Sequence, residues 1–263
     1  MTVKLVATDL DGTLVRSDGS VSDRTRAALI ALEVAGIRLV LVTGRPPRWM
    51  HDIAEQTGHR GVAICSNGAY VYDLHTERVL ESRLLDAATG RAVVARLRGV
   101  MPGLTFGVET LDGFGREPGY TPRWPVGPDT RVAPIEALLV PGVGKLLARD
   151  ESLLGDAMLT RALPAVGDVA TVTHSNPRDC LLEVSAPGVS KASTLAALCA
   201  GIGVGPGEVL AFGDMPNDLP MLAWAGRSVA VTNAHPAVLD AVDEHTASHD
   251  ADGVASVLET LLR

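Results

Sequence analysis

Two carboxylates two residues apart, Asp9 and Asp11, follow the apolar run from Val3 to Thr8 and precede Gly12 and Thr13. Residues i and i+2 of extended chain project to the same side, so both can address one site, while Gly12 lets the backbone turn away from it. Carboxylates that close repel each other unless something positive lies between them, and a hard divalent cation such as Mg2+ accepts oxygen ligands and relieves that repulsion. The pair points to a metal site with a reactive carboxylate; the competing reading is a helix N-cap followed by a surface turn.

Three further groups follow predicted strands or open predicted helices. The apolar stretch 37–42 ends in Thr43-Gly44-Arg45, which sets a hydroxyl and backbone N–H groups just ahead of a helix opened by Pro46 and Pro47. Lys191 follows Ser190 at the start of a helix over 192–198. The apolar strand 209–212 runs into Gly213-Asp214-Met215-Pro216-Asn217-Asp218, a second acidic loop. Hydroxyl, ammonium, metal and nucleophile are what phosphoryl transfer asks of a protein, because that chemistry depends on positioning and on neutralising charge.

In this order the pieces resemble the haloacid dehalogenase (HAD) superfamily of phosphohydrolases. The wide gap between the second and third motifs, the turn Ser66-Asn67-Gly68-Ala69 and the step Asn233-Ala234 resemble its Cof-type group, subfamily IIB. The resemblance covers 1–82 and 188–263; between them it extends only to length and to the run of elements. A carboxylate held against a metal is a recognised covalent catalyst, and the resemblance gives Asp9 the same role, with an aspartyl-phosphate intermediate. Asp11 would protonate the departing alkoxide and then take a proton from the attacking water, and by analogy its main-chain carbonyl would bind the metal. The N–H of Leu10, Thr43 with the Gly44 N–H, Lys191 and Asn217 would meet phosphoryl oxygens. Asp214 would bind Mg2+, and Asp218 would steady Lys191 or a water on the metal. The competing reading has Asp214 and Asp218 capping a helix over 219–225. Arg45 is expected to form a salt bridge near the loop and Asn67 to supply a positive φ; Arg116, Arg123, Arg131, His174 and Arg178 could line the inner face of a lid, with scattered surface arginines the competing reading for most of them.

A helix over 22–35, with Ser22 as N-cap and Gly36 as its stop, joins the first strand to that at 37–42, and alternation continues through a helix near 47–57 and a strand at 62–65. This predicts an α/β fold, a doubly wound parallel-sheet (Rossmann-like) core, in which ligands bind at the carboxyl ends of the strands. Residues 70–73 and 78–81 read as a hairpin. Past it the pattern changes to a helix at 87–100, strands at 104–109 and 113–117, a Pro- and Gly-rich loop at 118–131, a strand at 143–149, a helix at 152–162 and a strand pair at 169–174 and 180–184. The expected organisation is a core of 1–83 and 188–263 with an inserted α+β cap, or lid, over 84–187 that sets selectivity.

With 23 basic against 31 acidic side chains the net charge is −8, which argues against nucleic acid or an anionic membrane as partner and requires local charge to meet an anion. Cys65, Cys180 and Cys199 are too scattered for a metal site and read as structural thiols of a reducing compartment. No apolar run nears the roughly 18 residues of a membrane span, and a strand so close to Met1 leaves no room for a signal peptide, so the expectation is a cytoplasmic protein. The sequence carries no signal of oligomeric state. The function expected is a Mg2+-dependent phosphatase of a small organic phosphomonoester, a sugar phosphate first. Its rivals are a phosphomutase, a phospho-acceptor domain and a non-catalytic sugar-phosphate binder.

Overall fold

The computed structural model describes residues 2–263, which divide into two units, 2–81 with 190–263 and 82–189. The divisions fall two residues before and two after the sequence-based boundaries. Val189 and Ala186 pack in the second unit's core, which carries that unit past the Pro187-Gly188 step.

The first unit opens with β1 (Leu5–Thr8), β2 (Arg38–Val42), β3 (Val62–Cys65), β4 (Tyr70–Asp73) and β5 (Arg78–Ser82). The second supplies β6 (Thr105–Thr110), β7 (Gly113–Arg116), β8 (Arg131–Val132), β9 (Val143–Arg149), β10 (Thr171–Thr173) and β11 (Leu181–Ser185), and the chain returns through β12 (Val209–Gly213), β13 (Arg227–Val231) and β14 (Glu244–Thr246). The first unit's sheet runs β14-β13-β12-β1-β2-β3-β4-β5. Its first six strands are parallel, and β4 turns antiparallel to β3.

Alternation along β1 explains why helices cover both faces. Val6 joins Leu39 and Leu41 in a core closed by the helices Asp23–Val34, His51–Thr57 and Gly253–Leu261; Leu5 and Ala7 join Val40 and Val42 under the helices Lys191–Gly201 and Leu219–Trp224. Ser22 caps the first helix by accepting from Thr25 N at 3.0 Å, and Gly36 follows it at φ +76°.

The second unit is a six-stranded sheet, β10-β11-β9-β6-β7-β8, antiparallel except at β7–β8. One face packs on the helices Ala87–Val100 and Gly155–Val166.

Three local readings need correction. The helix expected at 152–162 spans Gly155–Val166, because Ser152 is taken up in a turn, its N–H and hydroxyl both donating to Asp150 Oδ1 at 3.0 and 2.6 Å. The helix near 47–57 is a short 3-10 turn, Pro47–Trp49, and a separate helix from His51. The loop 118–131 gives up Arg131 to β8, which pairs with β7.

Candidate active site

Asp9, Thr43 and Asp214 are the first residues past the ends of β1, β2 and β12, three strands adjacent in the sheet, so the topology delivers all three to its carboxyl edge. Lys191 reaches them from the first turn of its helix, which Ser190 and Ser193 close with a reciprocal capping box. Its side chain is 1% exposed, and Nζ donates to Asp9 Oδ1 at 2.6 Å and to Asp218 Oδ1 at 2.7 Å. Asp218 Oδ2 accepts from the N–H groups of Asp214 and Met215 at 3.1 and 3.0 Å. Both oxygens of Asp218 are thereby committed within the protein, and its carboxylate does not cap the helix Leu219–Trp224.

Thr13 takes a part that no spacing in the chain signals: its hydroxyl donates to Asp214 Oδ1 at 2.9 Å. Gly12, at φ +84°, lies so close to the same carboxylate that a methyl group there would stand 2.4 Å from Asp214 Oδ2. The loop itself is wound on Leu10, whose carbonyl accepts from the N–H groups of Thr13, Leu14 and Val15.

Oxygens of Asp9, Asp214 and Asp218 lie within 4.8 Å of one another, and all three residues are buried. Burial is the main force raising the Asp9 carboxyl to about 7; Lys191 opposes the rise, and the Asp218 carboxylate adds to it. Asp214 is held well above its ordinary range by burial, then by Asp9 and Asp218. Burial works against the Lys191 ammonium, but Asp218 and Asp9 outweigh it and hold the group above its usual range. Three carboxylates with one ammonium leave an excess of two negative charges when all ionise. Among the described residues, no hydrogen bond reaches Asp9 Oδ2 or Asp214 Oδ2. Oxygen donors in excess of positive charge, with ionisation opposed by burial, fit a hard divalent cation.

The structure does not bring the Asp11 carboxylate into this group. It is 58% exposed and held in a two-pronged pair by Arg45, Nε to Oδ2 at 2.8 Å and Nη2 to Oδ1 at 2.5 Å. Arg45 is firmly mounted, its N–H donating to Thr43 Oγ1 at 3.0 Å and its carbonyl accepting from Ser66 N at 2.9 Å. Thr43 is fully buried, and with its Oγ1 accepting from Arg45 the hydroxyl proton remains to be donated elsewhere. Gly44 lies between these two anchored residues. Asn67 has φ +56° and accepts on Oδ1 from Asn217 Nδ2 at 3.2 Å. Asn217 Oδ1 is buried without a partner among the described residues.

No helix among the described residues is long and apolar enough to cross a membrane. The sequence profile of the haloacid dehalogenase-like hydrolases matches residues 6–107 and 143–258. A phosphoglycolate phosphatase of Halorubrum lacusprofundi is 31% identical over 97% of this chain and 96% of its own. A 5-amino-6-(5-phospho-D-ribitylamino)uracil phosphatase of Bacillus subtilis is 27% identical over 97% and 94%. Among solved structures, the HAD subclass IIB sugar phosphatase BT4131 superposes with a TM-score of 0.81 over 98% of both chains at 22% identity, a likeness of fold. The chain belongs to the haloacid dehalogenase-like hydrolases and is a phosphatase.

Proposed function

We propose that the chain is a Mg2+-dependent phosphomonoesterase of a small organic phosphate, a sugar phosphate in first place, working through a phosphate ester of Asp9. The carrying observation is the buried Asp9 carboxylate, fixed by Lys191 through one oxygen and, among the described residues, without a hydrogen-bond donor on the other. Asp9 attacks phosphorus as the ester P–O bond breaks, and Asp11, having left the Arg45 fork in protonated form, gives its proton to the departing alkoxide. The Asp11 carboxylate then takes a proton from the water that attacks phosphorus, which releases phosphate and restores Asp9. Lys191, whose third N–H is not used by Asp9 or Asp218, holds a phosphoryl oxygen with the Thr43 hydroxyl, the Leu10 and Gly44 N–H groups and Asn217. Asp9, Asp214 and the Asp11 main-chain carbonyl would hold Mg2+, which supplies positive charge between the carboxylates and the phosphoryl group. Asp218 serves Lys191.

The choice of a sugar phosphate rests on the fold shared with a sugar phosphatase, and the unit 82–189 is proposed as the lid that makes the choice. A panel of phosphorylated metabolites assayed for free phosphate with Mg2+ tests both parts. Turnover of sugar phosphates that EDTA abolishes is expected; undiminished release in EDTA contradicts the metal, and a preference for non-sugar esters contradicts the substrate.

A further inference from the structure

The Asn233-Ala234 step takes no part in the chemistry proposed above, yet the turn that holds it touches both acidic loops. Asn233 Nδ2 donates to the Gly12 carbonyl at 2.8 Å, and its Oδ1 accepts from His249 N at 3.0 Å. Two residues on, His235 N donates to the Asp214 carbonyl at 2.8 Å. The turn is itself anchored, Thr232 N donating to Thr246 O and Ala234 N to Val231 O, both at 3.0 Å. One short segment therefore grips the loop after β1 through Gly12 and the loop after β12 through Asp214. These are the two loops that press together at the candidate metal site, where Gly12 packs on the Asp214 carboxylate and Thr13 bonds to it.

We infer that Asn233 is a positioning residue for the metal site, fixing the Gly12 peptide so that the Asp9 and Asp214 carboxylates stand at the separation a divalent cation requires. The inference rests on the metal reading above. Its physical basis is leverage. Asn233 is exposed, so water replaces its hydrogen bonds when it is removed and the fold loses little. The Gly12 peptide, released from its donor, loses one of the constraints that keep the first loop against Asp214, the Thr13 bond being the other. Partners that orient ligands in this way commonly change metal affinity by about 10- to 100-fold.

The test uses Mn2+ as probe, with bound and free ion separated by the magnetic resonance signal of the free ion, and the unfolding midpoint measured without metal. Asp214→Asn identifies the site by abolishing wild-type binding. Asn233→Ala should weaken Mn2+ binding about tenfold or more, with a metal-free midpoint close to that of wild type, and Asn233→Ser, which keeps a shorter donor, should lie between. Asp250→Ala is the comparison, because Asp250 holds the same C-terminal segment through Ser17 N and Oγ at 2.9 and 2.7 Å without touching Gly12; its Mn2+ affinity should match wild type. Wild-type affinity in Asn233→Ala overturns the inference, as does equal weakening in Asp250→Ala, since the loss would then follow a loosened segment. A wild-type protein with no binding that Asp214→Asn removes overturns the metal reading and the inference with it.

Discussion

At the scale of single residues, charge that burial makes costly is the recurring theme. The Asp9 carboxyl has an ordinary pKa of 3.8 and about 7 in the fold. Below 3.8 both folded and unfolded chains hold the proton and nothing is lost; between 3.8 and about 7 the unfolded chain releases it first, so stability without metal falls as pH rises, and above that the loss stays constant. In EDTA, wild type should show this fall and Asp9→Asn should lack its Asp9 share. Mg2+ should raise the midpoint increasingly over the same window. Equal pH dependence in wild type and Asp9→Asn contradicts this account of the site. Asp11 poses a separate question, because it rests on Arg45 away from the carboxylate group. A sugar alkoxide needs a proton to leave and a nitrophenolate, far less basic, does not, so Asp11→Asn should slow transfer from a sugar phosphate much more than from nitrophenyl phosphate. Steady turnover of nitrophenyl phosphate should also drop, because the water step still lacks its base. A wild-type rate there rules Asp11 out as that base.

At the scale of elements, strand ends decide where chemistry is placed. β12, β1 and β2 are neighbours, so the residues just past their ends, Asp214, Asp9 and Thr43, come together without any long-range device. That much was legible in the sequence, because apolar runs broken by Gly and Asp mark both the strand and the end from which the side chain emerges. The Asx turn at Asp150 that delays the helix to Gly155 was not, since Ser152 fits an N-cap equally well by composition. Nor could spacing reveal that Arg45 would take Asp11, that Thr13 would reach Asp214, or that the acid joining Asp9 and Asp214 would be Asp218; these depend on how loops far apart in the chain meet. The loop after β1 offers a direct test. Gly12→Ala forces a side chain into a left-handed conformation, costing on the order of 1–2 kcal/mol, and drives its methyl against Asp214. Displacement of a carboxylate proposed to hold the metal should lower phosphatase activity on the order of 100-fold while the protein stays folded by circular dichroism. Activity within a few-fold of wild type contradicts the close approach.

At the scale of the whole molecule, chemistry and selectivity are assigned to different units. Every residue proposed to act on phosphorus lies in the first unit, and the family profile leaves 108–142 of the second unmatched. The two phosphatases named above act on different phosphates, which is expected if selectivity resides outside the shared site. Replacing 82–189 by a short linker should retain hydrolysis of small activated esters and erase discrimination among sugar phosphates; equal loss on both in a folded variant contradicts the division. The central claim is that the bond to phosphorus is made by Asp9. Rapid mixing of the Asp11→Asn enzyme with nitrophenyl phosphate, acid quenching and intact mass analysis test it directly. The account predicts one added phosphoryl group, located by fragmentation at Asp9 and missing when Asp9→Asn is combined with Asp11→Asn. Phosphate on another residue, or an adduct that persists without Asp9, would contradict it.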